Sequence, residues 1–214
     1  MIMKVKFLVI AMGLPFVSAT ANAQEKVNSL TIGFSPLGAT HINMKQKDND
    51  MKYSSNYNSN WNVNIGYERQ FEGVVSLTEL TYFQAKWDET TYTHKDHDYP
   101  VLTGEDIWSA GITTYIGTTI NAKKRFQLPL YIGVGGEYID GNGLHNVMLD
   151  LAAKARMKFY ITSSIGIYAG FTYRYGFGSH EQKLDDEESN SDSKLYWGIS
   201  PSTWAVDAGL VIGL

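Results

Sequence analysis

Five histidines are the side chains in this sequence best suited to acid–base or metal chemistry: His41, His94, His97, His145 and His180. Imidazole and carboxylate groups both bind transition metals, so the run from His94 to Asp98 has the residue types of a metal site. Zinc sites need spaced ligands held by supporting hydrogen bonds, and this run lacks such spacing. We therefore predict polar loop residues here, with no metal and no cofactor.

Two further segments carry chemically active residues. Ser179, His180 and Glu181 supply the hydroxyl, base and carboxylate of nucleophilic acyl transfer. Neighbours on a strand point to opposite faces, however, so Ser179 and His180 would not readily meet. The stretch 183–194 is acidic but lacks the spacing of a calcium-binding loop, which favours a solvated loop. The sequence thus predicts no catalytic residue and no enzyme.

The elements that carry these residues alternate between polar and apolar side chains. Residues 58–71 read NSNWNVNIGYERQF, with Trp61, Val63, Ile65 and Tyr67 alternating with polar residues or glycine. This period of two is the signature of a strand with one apolar and one polar face. Eight segments show it: 29–44, 57–71, 74–88, 106–120, 126–139, 146–158, 164–178 and 199–214.

Composition and the N-terminus limit the class of protein. Residues 1–23 have a basic start, a short apolar stretch and an Ala-Asn-Ala end, which predicts a secretory signal peptide. A short segment, 24–28, would then precede a single domain at 29–214. The formal net charge of −4 argues against nucleic acid as a partner, and the lack of cysteine excludes thiol chemistry.

Three features predict that the apolar face points outward, into lipid. Most glycines of the predicted strands lie on the polar face, as expected where side chains converge on a barrel axis. Aromatic residues, Tyr57 and Trp61 among them, gather at the strand ends, as they do at membrane interfaces. Mid-strand charges lie on the polar face, and each Arg or Lys facing lipid there would cost about 2–4 kcal/mol.

We therefore predict an all-β fold, an eight-stranded antiparallel up-and-down transmembrane β-barrel. Only a closed sheet satisfies every backbone polar group in hydrocarbon. An eight-stranded barrel has an interior just wide enough for its own side chains, so we expect a plugged lumen. The residues predicted to form its ion-pair network are Glu68, Glu137, Asp150, Lys154, Arg156, Arg174 and Asp207.

Some positions disturb this pattern. In the third segment Val75 and Leu77 share a parity with Glu79, whereas the apolar Leu80 and Tyr82 have the other parity, which predicts a bulge or a change of face there. Local irregularity is expected at Pro36 and Pro129, because proline lacks a ladder donor. Short turns are predicted at 72–73, 121–125 and 159–163, and longer or more polar loops at 45–56, 89–105, 140–145 and 179–198.

In this pattern, residues 29–214 resemble the small outer-membrane β-barrels of the OmpA-domain and OmpX type. The resemblance implies periplasmic termini, four surface loops and a charged lumen. It also implies outer-membrane localisation, contact with outer-membrane lipid, and insertion by the outer-membrane assembly machinery. The chain departs from the group at Leu214, where an aromatic residue is usual.

The expected function is non-enzymatic. A barrel of this kind would serve envelope integrity, adhesion, or binding of a surface protein or host ligand through the loops at 45–56, 89–105 and 179–198. Two alternatives stay open. One is a lipid A-modifying acyltransferase or deacylase at the rim, and the other is a narrow channel for small apolar solutes.

Overall fold

The fold consists almost entirely of strands. The computed structural model describes residues 27–46, 50–71, 73–122, 125–184 and 193–214. The signal peptide predicted at 1–23 lies outside these residues. No helix among them is long and apolar enough to cross a bilayer. The strands are β1 (Val27–Gln46), β2 (Met51–Phe71), β3 (Val74–His94), β4 (His97–Val101), β5 (Ile107–Ile120), β6 (Phe126–Gly141), β7 (Leu144–Tyr160), β8 (Ile165–Leu184) and β9 (Ser193–Gly213).

Eight of these strands close into a ring. Each pairs antiparallel with its neighbour along the chain, β4 excepted, and β9 returns to pair with β1 from Ser29 opposite Gly213 to Gln46 opposite Trp197. β4 stands outside the ring and forms a hairpin with the end of β3. The predicted eight-stranded up-and-down barrel is confirmed.

Between the short turns and the upper ring of aromatic residues, the barrel is apolar outside and polar inside. We call this part the lower barrel. Ile65, Leu149 and Ile167 are 51%, 58% and 48% exposed to the exterior, whereas Asn64 and Glu68 are buried within. A soluble protein does not present so continuous an apolar exterior, because it would drive aggregation. The exterior of the lower barrel is therefore the lipid-facing surface.

An aromatic belt marks the upper limit of the lower barrel. On adjoining strands, ring centroids lie 5.3 Å apart between Trp61 and Tyr82, 6.0 Å between Tyr82 and Trp108, and 5.5 Å between Trp108 and Tyr138. Tyr173 and Trp204, which are register partners, continue the belt on β8 and β9. Amphipathic rings settle at the headgroup level of a bilayer, so the belt marks one of the two interfaces of the membrane.

Five strands continue past the belt and three stop near it. β2 runs back ten residues from Trp61 to Met51, whereas β5 begins one residue before Trp108. We call the projecting strands the wall: residues 40–46, 51–58, 86–101, 178–184 and 193–203. Most of the described part of the loops predicted at 45–56, 89–105 and 179–198 is therefore strand. The loop predicted at 140–145 is a tight turn at Gly141, Asn142 and Gly143, all with positive φ.

The apolar face inverts between the lower barrel and the wall. On β1 the register shifts between Phe34 and Leu37, around Pro36. Phe34 consequently faces lipid, whereas Ile42, of the same sequence parity, is buried inside. On β2 a register shift between Ser59 and Trp61 has the same effect, so Tyr57 points inward. The prediction that Tyr57 belongs to the outer belt is wrong for this reason.

The third predicted segment is more regular than expected. Val75, Leu77 and Glu79 all point inward, and β3 has no register shift from Val74 to Gln84. The predicted bulge or change of face at this point is therefore wrong. Val75 and Leu77 belong to a small apolar cluster at the short-turn end of the lumen, with Tyr115, Tyr131 and Ala152.

At the second proline, pairing is interrupted without a bulge. The β6–β7 ladder passes from Gln127 opposite Lys158 to Leu130 opposite Ala155 with no change of register. Pro129 and Leu128 have no partner on β7 in between. This local gap fits a residue without a backbone donor.

Candidate functional site

The charged part of the lumen is built in layers. In the layer nearest the short turns, the Lys158 ammonium pairs with the Glu68 carboxylate. The Tyr131 hydroxyl donates to the same carboxylate, with 2.7 Å between Oη and Oε2. All three side chains are buried. This layer joins β2, β6 and β7 across the barrel axis.

Glu79 is the centre of the middle layer. Its two carboxylate oxygens accept from Lys154 and from Arg156 respectively. Arg156 also reaches Asp207, with 3.3 Å between Nη2 and Oδ2. Its guanidinium carbon lies 4.3 Å from the centroid of the Tyr168 ring. A buried charge is costly unless it is paired, so this layer stabilises the barrel only as a connected set.

The upper layer lies just below the apolar part of the lumen. Arg174 Nη1 is 3.5 Å from Glu137 Oε1 and donates to Thr81 Oγ1 at 3.3 Å. Ser109 donates to the same glutamate. Asp150 is buried beside Glu137 and Arg174, but it forms no ion pair among the described residues.

All seven residues predicted for the network point into the lumen and are buried. The structure brings six of them into ion pairs and leaves Asp150 without one among the described residues. Sequence reasoning did not include Glu79 or Lys158. Glu79 shares its face with Val75 and Leu77, which made that face look apolar. Lys158 lies at the strand end, where a charge is unremarkable.

Above the charged layers the lumen is apolar, and we call this cluster the cap. The hydroxyl of Tyr57 accepts a hydrogen bond from Asn142 Nδ2 at 2.7 Å, tying the cap to the β6–β7 turn. A cavity of about 10 Å³ among the charged layers has room for about one water molecule. The cap comprises Ile42, Tyr57, Phe83, Ala85, Ile107, Ile139, Leu144, Met148 and Ile199.

The concave face of the wall carries an aromatic row that continues upward from the cap. The Tyr53 ring centroid lies 5.5 Å from that of Trp197 and 4.9 Å from that of Tyr92, and Tyr92 lies 6.0 Å from Tyr99 of β4. At the β4 end of the row is an open hollow of about 440 Å³, lined by Tyr92, His94, Lys95, His97 and Tyr99. The row can stack on flat or apolar ligand surfaces.

The loop histidines that sequence reasoning considered as ligands have protein partners instead. His94 Nδ1 lies 3.1 Å from the Tyr92 hydroxyl, and His97 Nδ1 lies 2.9 Å from the Lys95 carbonyl oxygen. Within the described ranges, no three His, Cys, Asp or Glu side chains come together as a metal site. The centre of the acidic stretch, 185–192, lies outside the described residues.

Ser179 and His180 lie on opposite faces of the wall. Asn146 Nδ2 lies 3.2 Å from His180 Nδ1, whereas Ser179 is exposed on the outer face. Partial burial, and then the neighbouring His145, lower the pKa of His180. The acyl-transfer arrangement considered from the sequence is therefore not assembled at this position.

Comparison with known proteins gives a fold but no family. No family model and no curated protein matches the sequence. OprG from Pseudomonas aeruginosa aligns over 89% of this chain and 97% of its own, with a TM-score of 0.55 and 12% identity. AlkL in lipid bilayers aligns over 92% and 94%, with a TM-score of 0.51 and 9% identity.

A more distant similarity is to the outer membrane protease OmpT from Escherichia coli, over 92% of this chain and 99% of that one, with a TM-score of 0.44 and 10% identity. Together with the lipid-facing exterior described above, the two nearer similarities give this chain the fold of the small outer-membrane β-barrels. Its location is the outer membrane.

Proposed function

We propose that this chain is a non-conducting outer-membrane barrel that anchors a surface-interaction wall outside the cell. The observation that carries the proposal is the inversion of the wall. Above the belt the exterior becomes polar, whereas the concave face presents the aromatic row of Trp197, Tyr53, Tyr92 and Tyr99. Clustered aromatic side chains are enriched at binding surfaces. The concave face is therefore the proposed contact surface for a surface protein or host ligand.

The closed lumen supports an anchoring role for the barrel itself. Three ion-paired layers and the cap fill its interior, and the cavity found among the charged layers is about 10 Å³. A filled eight-stranded barrel is a rigid support for the strands that leave it. Binding to outer-membrane lipid follows from the exterior of the lower barrel, and insertion by the assembly machinery stays a prediction.

Substitutions on the two faces of the wall test the proposal. Cells displaying the wild type would be compared with cells displaying Tyr92→Ala and Tyr99→Ala together, for adhesion to immobilised glycans, matrix proteins and host cells. The matched control is Thr91→Ala with Thr93→Ala, on the same strand but the opposite face. Loss of adhesion in the aromatic variant alone supports the proposal. Equal adhesion of all three, or none by the wild type, rejects it.

A second candidate function is entry of small apolar solutes, and the cap is the observation that favours it. The aromatic row and the cap form one apolar surface from the outside to the middle of the barrel. Uptake of a radiolabelled alkane or terpene into proteoliposomes would test this candidate, with Phe83→Asp as the variant expected to block it. Uptake equal to that of protein-free vesicles rejects it.

The rim enzyme considered from the sequence has no support at residues 179–181, because Ser179 and His180 point apart. The sequence-based expectation of no enzymatic activity remains a prediction for these residues only, because other side chains, on β1, β2 and β3, support the opposite inference.

A further inference from the structure

A hydrogen-bonded chain of four side chains lies on the outer face of the wall. Ser54 Oγ is 3.3 Å from His41 Nε2, and His41 Nδ1 is 2.6 Å from Asn56 Oδ1. Asn56 Nδ2 in turn donates to Glu89 Oε1 at 2.8 Å. These residues come from β1, β2 and β3, which places them together although the sequence scatters them. We propose that Ser54, His41 and Asn56 form a catalytic triad that hydrolyses acyl esters of outer-leaflet lipids.

The order of the hydrogen bonds assigns the role of each side chain. Glu89 can only accept when ionised, so it holds the Asn56 amide with its NH₂ outward and its oxygen toward His41. That oxygen fixes the His41 tautomer with the proton on Nδ1 and leaves Nε2 as an acceptor. Nε2 then faces the Ser54 hydroxyl, which is the arrangement of nucleophile, base and orienting group found in serine hydrolases.

The register supplies the remaining parts of such a site. Asn43 lies directly opposite Ser54 on β1, and we assign its amide as the donor that would stabilise an oxyanion at the carbonyl under attack. Lys52 lies two residues from Ser54 on the same face, and its cross-strand partner is Lys45. Both lysines are exposed. Paired ammonium groups beside the nucleophile suit a substrate that carries a phosphate.

The depth of the triad identifies the substrate class. His41 lies two residues beyond Ala39, whose partner on β9 is the belt residue Trp204. The belt lies at the headgroup level, where the acyl esters of membrane lipids also lie. The triad faces away from the lumen on the water-exposed side of the belt, with Ser54 opposite Asn43, four residues beyond Ala39, so that a substrate would reach it from the headgroup layer. A fatty acyl ester next to a phosphate is therefore the matching chemistry, supplied by either a glycerophospholipid or a lipopolysaccharide.

The reaction needs no component besides water. The Ser54 hydroxyl oxygen bonds to the ester carbonyl carbon while its proton moves to His41 Nε2. The bond to the alcohol oxygen of the lipid then breaks, and that oxygen takes the proton from His41. Water attacks the resulting acyl-serine in the same way, which releases the fatty acid and restores the hydroxyl.

The test uses the full chain, refolded into vesicles, with released fatty acid and deacylated lipid measured by mass spectrometry. We expect release by the wild type and a loss of about 100-fold or more in Ser54→Ala and in His41→Ala. Asn43→Ala should lose about 100-fold, as expected for an oxyanion donor. The matched control is Ser202→Ala, a hydroxyl opposite His41 on β9. It should release at the wild-type rate, because both His41 nitrogens already have partners on β2.

Two vesicle compositions separate the possible substrates: glycerophospholipid alone, and the same lipid with lipopolysaccharide in the outer leaflet. A fluorophosphonate probe gives a readout independent of turnover, since it should add its mass to the peptide that contains Ser54. Heat-modifiable mobility on gels verifies that each variant is folded. The triad is overturned if folded wild type releases no fatty acid and takes up no probe, or if folded Ser54→Ala releases as fast as wild type. Such failure would leave the proposed binding on the concave face of the wall untouched.

Discussion

Arg156 and Glu79 meet at the centre of the lumen although 77 positions separate them in the chain. Arg156 is fully buried, and it shares Glu79 with Lys154 while also reaching Asp207. The contact links β3, β7 and β9 across the barrel axis. At mid-depth, ion pairs therefore connect the strands inside the barrel, whereas the exterior contacts lipid.

Removing the carboxylate of Glu79 should destabilise the barrel strongly. Glu79→Ala leaves Lys154 and Arg156 buried without their main partner, which costs about 3–5 kcal/mol. Urea unfolding in detergent micelles, followed by tryptophan fluorescence, measures the change in free energy of unfolding. Asp88→Ala, an exposed carboxylate on the same strand, should change it by less than about 0.5 kcal/mol. Equal effects of the two substitutions would contradict the layered network.

Two glycines of β9 should respond differently to the same substitution. A Cβ at Gly209 would lie 2.1 Å from the Ile32 carbonyl oxygen, whereas at Gly198 the nearest atom, the Lys45 carbonyl oxygen, is 3.8 Å away. Gly209→Ala must push β1 and β9 apart at the closure of the ring, at a cost of about 1–3 kcal/mol. Gly198→Ala should be tolerated. The midpoints of urea unfolding compare them, and a smaller effect at Gly209 would show that the strands are not so close.

The lumen should not conduct ions. In planar bilayers we expect no steady conductance from the wild type. Ile42→Ala with Phe83→Ala, which thins the cap, should stay closed because the ion-paired layers beneath it remain. Steady ohmic conductance of the wild type would contradict the filled interior.

His180 should titrate below the ordinary histidine value. Partial burial, and then the charge of His145, lower the pKa of His180, so the folded state binds its proton less readily than the unfolded state. The stability from neutral His180 is present above the ordinary value and declines as the pH falls below it. NMR titration of the His180 ring checks this, and His145→Gln should move the midpoint upward. An unchanged midpoint would argue against the influence of His145.

The barrel was predictable from sequence because the alternation is strong within each strand of the lower barrel. The inversion at the wall was not predictable. Trp61 and Tyr57 have the same parity in the sequence, but a register shift between them directs Trp61 outward and Tyr57 inward. No residue near Ser59 is of a type that predicts this register shift, whereas Pro36 marks the corresponding register shift on β1. Likewise, the contact of His41 with Ser54 depends on a cross-strand register that alternation alone does not define.

Lipid accessibility along β2 tests the central claim most directly. Spin labels would be placed singly at Val63, Asn64, Ile65 and Gly66, and at Asn56 and Tyr57 above the belt, in the protein reconstituted in bilayers. We expect high exposure to lipid-soluble oxygen at Val63 and Ile65 and low exposure at Asn64 and Gly66. A label at Asn56 should be accessible to a water-soluble relaxation agent. A label at Tyr57 should be accessible neither to that agent nor to oxygen. Lipid exposure at Asn64 and Gly66, with Val63 and Ile65 protected, would contradict the inside-out barrel.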